Sequence, residues 1–183
     1  MASVLVPLAQ GCEELEAVTI IDLLRRANIE VVTAALSEGP ITASRGTTLI
    51  ADAQLDDVLE KPFDMIVLPG GLPGADYLNA DTRIQQLLKS MASQNKYTAA
   101  ICAAPKVLAS SGLLEGKRAT AYPGTLESLD LPHTAIEAAA VVKDNKVITS
   151  RGPGTAMDFA LELIESLQGK ASRDQVEAAL QRP

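Results

Sequence analysis

A chain of 183 residues can bury about two-thirds of its unfolded surface, so it needs neither disulfides nor a structural metal to hold a core. Its hydrophobic (47%) and charged (21%) fractions are those of a soluble globular protein, and with no tryptophan and 3% aromatics the core must be built from Ala, Val, Leu and Ile. A net charge of -7 argues against nucleic acid or an anionic membrane as primary partner, and two cysteines, Cys12 and Cys102, are too few for a secreted disulfide scaffold.

The first residues lack a basic leading region, and Pro7 and Glu13 cut the apolar run short, so residues 3–8 read as a buried strand rather than a signal peptide. No run reaches the roughly 18 apolar residues needed to span a bilayer, and a cytoplasmic, reducing location is expected. From Glu14 to Ala27 the apolar residues approximate helical spacing, with acids at the start and Arg25 and Arg26 at the end, as the helix dipole prefers. Ile29 to Leu36 is a second strand, parallel to the first. Two β-prone runs around Arg45-Gly46, within residues 40–51, predict a hairpin appended to the sheet.

A short helix over Leu55–Leu59 and a buried strand over Phe63–Leu68 follow, ending at the loop Pro69-Gly-Gly-Leu-Pro-Gly-Ala75. Asp81 is the expected N-cap of a helix running to Ser93. Tyr97–Ile101 and Lys117–Ala121 read as strands, and Val141–Thr149 as two strands joined at Asp144-Asn145. A helix from Thr155 to Leu167, closed by Gly169, and another from Ser172 to Leu180 complete the chain. No repeat or linker divides it, so one three-layer α/β domain over residues 1–183 is expected.

Chemistry is expected at residues 97–112. An apolar strand runs into Cys102, and Ala103, Ala104 and Pro105 begin a helix that Gly112 ends. This is the layout of a nucleophile elbow, which lifts one side chain off the carboxyl end of a strand and needs small neighbours. The free amides of the helix start would lower the thiol pKa and favour thiolate. Sites in such folds lie outside the carboxyl ends of the strands, so the loops 9–16 and 69–75 belong beside Cys102. The Gly70-Gly71 loop and the amide of Ala103 can supply an oxyanion hole. One carboxylate among Glu13, Glu14 and Glu16 can sit beside the sulfur with a raised pKa and shuttle its proton; spacing does not choose among the three. His133 lies in an irregular segment and reads as a surface residue, Cys12 as an ordinary buried thiol. Two Cys and one His far apart predict no metal site.

These residues resemble the ThiJ/PfpI superfamily, in the subgroup of the Parkinson-disease-associated deglycase and YajL. The resemblance rests on Glu13-Glu-Leu-Glu-Ala-Val, Ala43-Ser-Arg-Gly, Ile66-Val-Leu-Pro-Gly-Gly, Ala99-Ala-Ile-Cys-Ala-Ala-Pro and Thr149-Ser-Arg-Gly-Pro-Gly-Thr, nearly end to end. It implies a flavodoxin-like three-layer sandwich that forms a homodimer across the first helix and the hairpin. It also implies Cys102 as the reactive cysteine, Glu16 as its protonated partner, Gly71 and Ala103 as amide donors, and Arg26 and Arg45 near the dimer interface, with Arg45 reaching the neighbouring site. Two departures stand out: Tyr122 occupies a position where some relatives carry histidine, which disfavours a Cys-His-acid triad, and Ile50 replaces a recurrent second thiol.

The implied activity uses no cofactor. Cys102 adds to an α-oxoaldehyde such as methylglyoxal, or acts on early adducts of such aldehydes with proteins (glyoxalase or deglycase chemistry). The rival expectation is a redox sensor or chaperone working through oxidation of Cys102 to sulfinate. A thiamine-pathway role finds no phosphate-binding motif.

Overall fold

The computed structural model describes residues 1–182. Its strands are β1 (Ser3–Leu8), β2 (Glu30–Ala35), β3 (Ile41–Thr42), β4 (Thr48–Leu49), β5 (Ala53–Gln54), β6 (Met65–Leu68), β7 (Tyr97–Ile101), β8 (Arg118–Ala119), β9 (Ala135–Ile136), β10 (Val141–Asp144) and β11 (Val147–Ser150). Its helices are α1 (Glu14–Arg26), α2 (Gly74–Ala80), α3 (Thr82–Ser93), α4 (Pro105–Ser110), α5 (Ala156–Gln168) and α6 (Lys170–Ala179).

The central sheet runs β10-β11-β7-β6-β1-β2-β5, and only the β10–β11 pair is antiparallel. Its middle strands are apolar on both faces because helices cover both. Val4, Val6 and Leu8 of β1 and Val67 of β6 pack with Ile20, Leu24, Phe159 and Leu163, from α1 and α5. Leu5 of β1 and Ile66 and Leu68 of β6 turn the other way, toward Leu78, Ile84, Leu88, Val107 and Leu108 of α2, α3 and α4. This is a flavodoxin-like α/β sandwich. No helix among the described residues is long and apolar enough to cross a membrane.

Local chemistry sets several boundaries as expected. Asp81 caps α3 through the Arg83 amide (2.9 Å), acids open α1, and Pro105 opens α4. The predicted hairpin β3–β4 is present as a small two-stranded sheet, fastened to the loop after β1 by Gly11 N–H to Thr42 O and Ser44 N–H to Cys12 O (both 2.8 Å). Other expectations are corrected. The true sheet edge on that side is β5. Helix α2 begins in the last two residues of the expected 69–75 loop and runs on to Ala80, because Ala75 and Leu78 bury one side of a segment whose Gly, Asp and Asn have weak helix propensity. The β10–β11 turn is Asn145-Lys146, since Asp144 still pairs with Val147. The Lys117–Ala121 strand shrinks to β8, which pairs only with β9.

Candidate active site

Three loops meet at the carboxyl ends of β1, β6 and β7. After β7 the chain reverses sharply, and Cys102 takes the left-handed conformation (φ +63) that costs an L-residue roughly 1 kcal/mol. Two backbone hydrogen bonds hold it there: its N–H donates to Ser150 O (3.0 Å), and its carbonyl accepts from Tyr122 N–H (2.9 Å). Strand β11 and the loop after β8 therefore fix the elbow, while Ala103 and Ala104 keep the turn small.

Glu16 lies in the first turn of α1 and is completely buried. Its Oε2 accepts the Gly70 N–H at 2.8 Å, while Oε1 is buried with no hydrogen-bond partner among protein groups. Glu16 also reaches the Cys102 thiol, and the amides of Gly71 and Ala103 face the sulfur. The sequence places Gly70 in a loop whose amides are expected to face an oxyanion; in the structure the Gly70 amide instead clamps Glu16. A Cβ on residue 70 would stand 2.6 Å from Cys102 Cβ, 2.8 Å from Glu16 Oε2 and 2.8 Å from Ile101 O. Gly71 combines φ +85 with a would-be Cβ 2.4 Å from the Glu13 nitrogen. Replacing Gly70 by alanine is thus expected to destabilise the fold by about 2–3 kcal/mol, read as a lowered urea midpoint, and to impair reaction at Cys102. An unchanged midpoint would mean that the loops part at little cost.

The electrostatics correct one expectation. Cys102 is only 9% exposed, and burial, then the Glu16 charge, push its thiol up to about 12 against the pull of the Gly71 and Ala103 amides. The helix that was expected to lower it is six residues long and starts at Pro105, three positions on, so its dipole is too short to win. Burial raises Glu16 to about 7, against the Gly70 hydrogen bond. Below about pH 7 both groups of this apolar pocket hold their protons; above it Glu16 is ionised while the sulfur keeps its own. Above about pH 7 the resting pair is a thiol beside a carboxylate poised to take its proton.

The other two acids of the cluster serve the hairpin. Glu14 accepts the Arg45 and Thr47 amides and the Ser44 hydroxyl; against the raising effect of burial, these donors hold its carboxyl at about 2. Glu13 accepts from Ser44 Oγ at 2.8 Å. Cys12 is fully buried, and burial, then Glu14, raise its thiol to about 11. His133 is exposed, 4.0 Å from Glu115. Arg26 pairs with Asp22 on its own helix, and Arg45 is exposed at the hairpin tip. Neither arginine is brought to Cys102 by a contact within this chain. Tyr122 holds the Cys102 carbonyl by its backbone while its ring packs over Gly152, where a Cβ would sit 3.3 Å away. Among the described residues no group of three His, Cys, Asp or Glu is arranged to hold a metal ion.

A model of the DJ-1/PfpI family matches residues 2–166. Protein DJ-1 homolog A of Arabidopsis thaliana is 42% identical over 97% of this chain, which spans 46% of that relative's length. The glutathione-independent glyoxalase DJR-1.2 of Caenorhabditis elegans is 34% identical over 92% of this chain and 89% of its own. The crystal structure of Drosophila melanogaster DJ-1beta superposes with a TM-score of 0.95 at 41% identity, covering 100% of this chain and 98% of that one.

Proposed function

The chain belongs to the DJ-1/PfpI family, and from that membership and the buried thiol–carboxyl pair we propose that it is a cofactor-independent cysteine enzyme acting on α-oxoaldehydes or their early protein adducts. The observation that carries the reading is the contact of Cys102 with Glu16, whose Oε1 has no other partner and whose pKa is raised to about 7 by burial. A base poised there can accept the thiol proton at the moment of attack, so a sulfur that rests protonated still acts as a nucleophile.

With methylglyoxal the atoms balance as follows. Sγ bonds to the aldehyde carbon, and the thiol proton passes through Glu16 to the former carbonyl oxygen, giving a hemithioacetal. The amides of Gly71 and Ala103 face the sulfur and stabilise negative charge there and on an oxygen bonded next to it. Glu16 then removes the proton from the carbon bearing sulfur and returns it to the neighbouring carbon, while the hemithioacetal hydroxyl proton passes to the neighbouring carbonyl oxygen, producing a lactoyl thioester. Water cleaves the thioester, releasing lactate and restoring the thiol. Deglycation of protein adducts would draw on the same groups. The test is lactate formation from methylglyoxal without glutathione; absence of turnover by the purified chain overturns the reading.

The rival reading, a sensor that oxidises Cys102 to sulfinate, is favoured by one observation: the partnerless Oε1 can present a proton to a sulfinate oxygen. A stable gain of two oxygens on Cys102 after mild peroxide, with negligible aldehyde turnover, selects it. The homodimer is proposed on the apolar side chains left outside: Leu15 and Val18 on α1 are 50% and 47% exposed, and Ile50 beside the hairpin is 83% exposed. Sedimentation velocity is expected to give twice the 19.2 kDa chain mass, and a monomer at micromolar concentration rejects it.

A further inference from the structure

The end of the sheet opposite the Cys102 loops carries a second polar feature. Two adjoining clefts of about 640 and 290 Å³ open at the amino end of β7 and share Asn95, Lys96 and Lys146 in their walls. The larger one also meets Asp64, Tyr97 and Ser166, and the smaller one Glu115 and Lys117. Lysines outnumber acids in both, in a chain whose net charge is -7.

The lysines there are not equivalent. Lys96 is paired with Asp64 at 2.9 Å, Lys143 with Glu162 at 3.2 Å, and Lys117 stands 3.8 Å from Asp144. Lys146 has no carboxylate within 4.0 Å among the described residues, although it is half-buried. Its ammonium instead rests 3.8 Å from the centroid of the Tyr97 ring, and Lys143 stands 6.0 Å from the same ring. The ring contact fixes where the charge sits but leaves its hydrogen-bonding protons free, because a π face accepts them only weakly. Its residue also makes the β10–β11 turn, whose backbone is anchored by Thr98 N–H to Lys146 O at 2.9 Å. A preplaced, unneutralised ammonium in a cleft of ligand size, flanked by a second lysine, is an anion-binding arrangement.

We propose that this cleft binds a small phosphate-bearing molecule, with Lys146 as the principal contact and Lys96 as the second. Ammonium groups act as point charges suited to the compact dianion of a phosphate, whereas a planar carboxylate is matched better by an arginine fork, and no arginine lines either cleft. Tyr97 and Leu167 supply the apolar wall beside which the rest of such a molecule would lie.

The probe is inorganic pyrophosphate, followed by phosphorus NMR and by thermal shift of the full chain, with sodium chloride at matched ionic strength as the control for screening. Saturable binding is expected, weakened about tenfold in Lys146→Gln and unchanged in Lys89→Gln, an exposed lysine on α3. Both variants should react at Cys102 like the parent, which separates this proposal from the fate of the aldehyde chemistry. The proposal is overturned by an absence of saturable binding, by equal effects of chloride and pyrophosphate, or by equal losses in the two variants.

Discussion

Lactate formation from methylglyoxal is expected to fall by about a thousandfold or more when Cys102 is replaced by serine. The substitution barely changes volume, and the bonds that hold the elbow, to Ser150 O and from Tyr122 N–H, are made by the backbone. The fold should therefore survive, and an unchanged thermal transition would document it. What is lost is the acid–base match. A carboxylate with a pKa of about 7 can draw a proton from a thiol during attack, but a hydroxyl is far too weak an acid for the same transfer in this buried setting. A serine variant that converts methylglyoxal as fast as its parent would remove Cys102 from the reaction altogether.

Glu16→Gln is expected to act in opposite directions on rate and stability. Turnover should drop by about 10²–10⁴-fold, because the amide cannot carry a proton between the two carbons. In the unaltered protein the rate should climb as pH rises through about 7, where Glu16 becomes the base, and the variant should lack that limb.

Stability follows from the same raised pKa. The unfolded chain releases the Glu16 proton near the ordinary value of 4.5, while the folded chain keeps it to about 7. Between those values the folded state binds more protons, so this residue's contribution to stability declines as pH rises and levels off above about 7. The ionised side chain then costs about 3 kcal/mol at most. Cys102 adds nothing to this window, since its thiol is protonated in both states below the ordinary value of 9.0. Glutamine can still accept the Gly70 N–H and avoids the buried charge. Urea midpoints at pH 5 and pH 8 should therefore diverge in the variant's favour at pH 8. Parallel midpoints would mean that Glu16 is solvated in a way its complete burial contradicts.

Much of this protein was legible before any coordinates. Strands apolar on both faces required helices on both sides, and Asp81, Pro105 and the acids opening α1 marked helix starts, because caps, proline and dipole act over a few neighbouring residues. The motifs likewise brought Cys102, Glu16 and Gly71 to one rim, since parallel strands must end on the same side.

Tertiary packing decided the rest. Glu13, Glu14 and Glu16 share one short stretch, yet only the third is turned into the sheet, while Glu13 and Glu14 meet the hairpin; which face of α1 is buried depends on β1, β6 and α5. The clamp from the Gly70 amide exists only because residues 16 and 70, far apart in the chain, were brought together. The sign of the thiol shift is the plainest case. A local rule, a helix start lowering the pKa of a nearby sulfur, lost to burial and a neighbouring carboxyl. Desolvation is set by everything that surrounds an atom, and neighbours along the chain are only a small part of that.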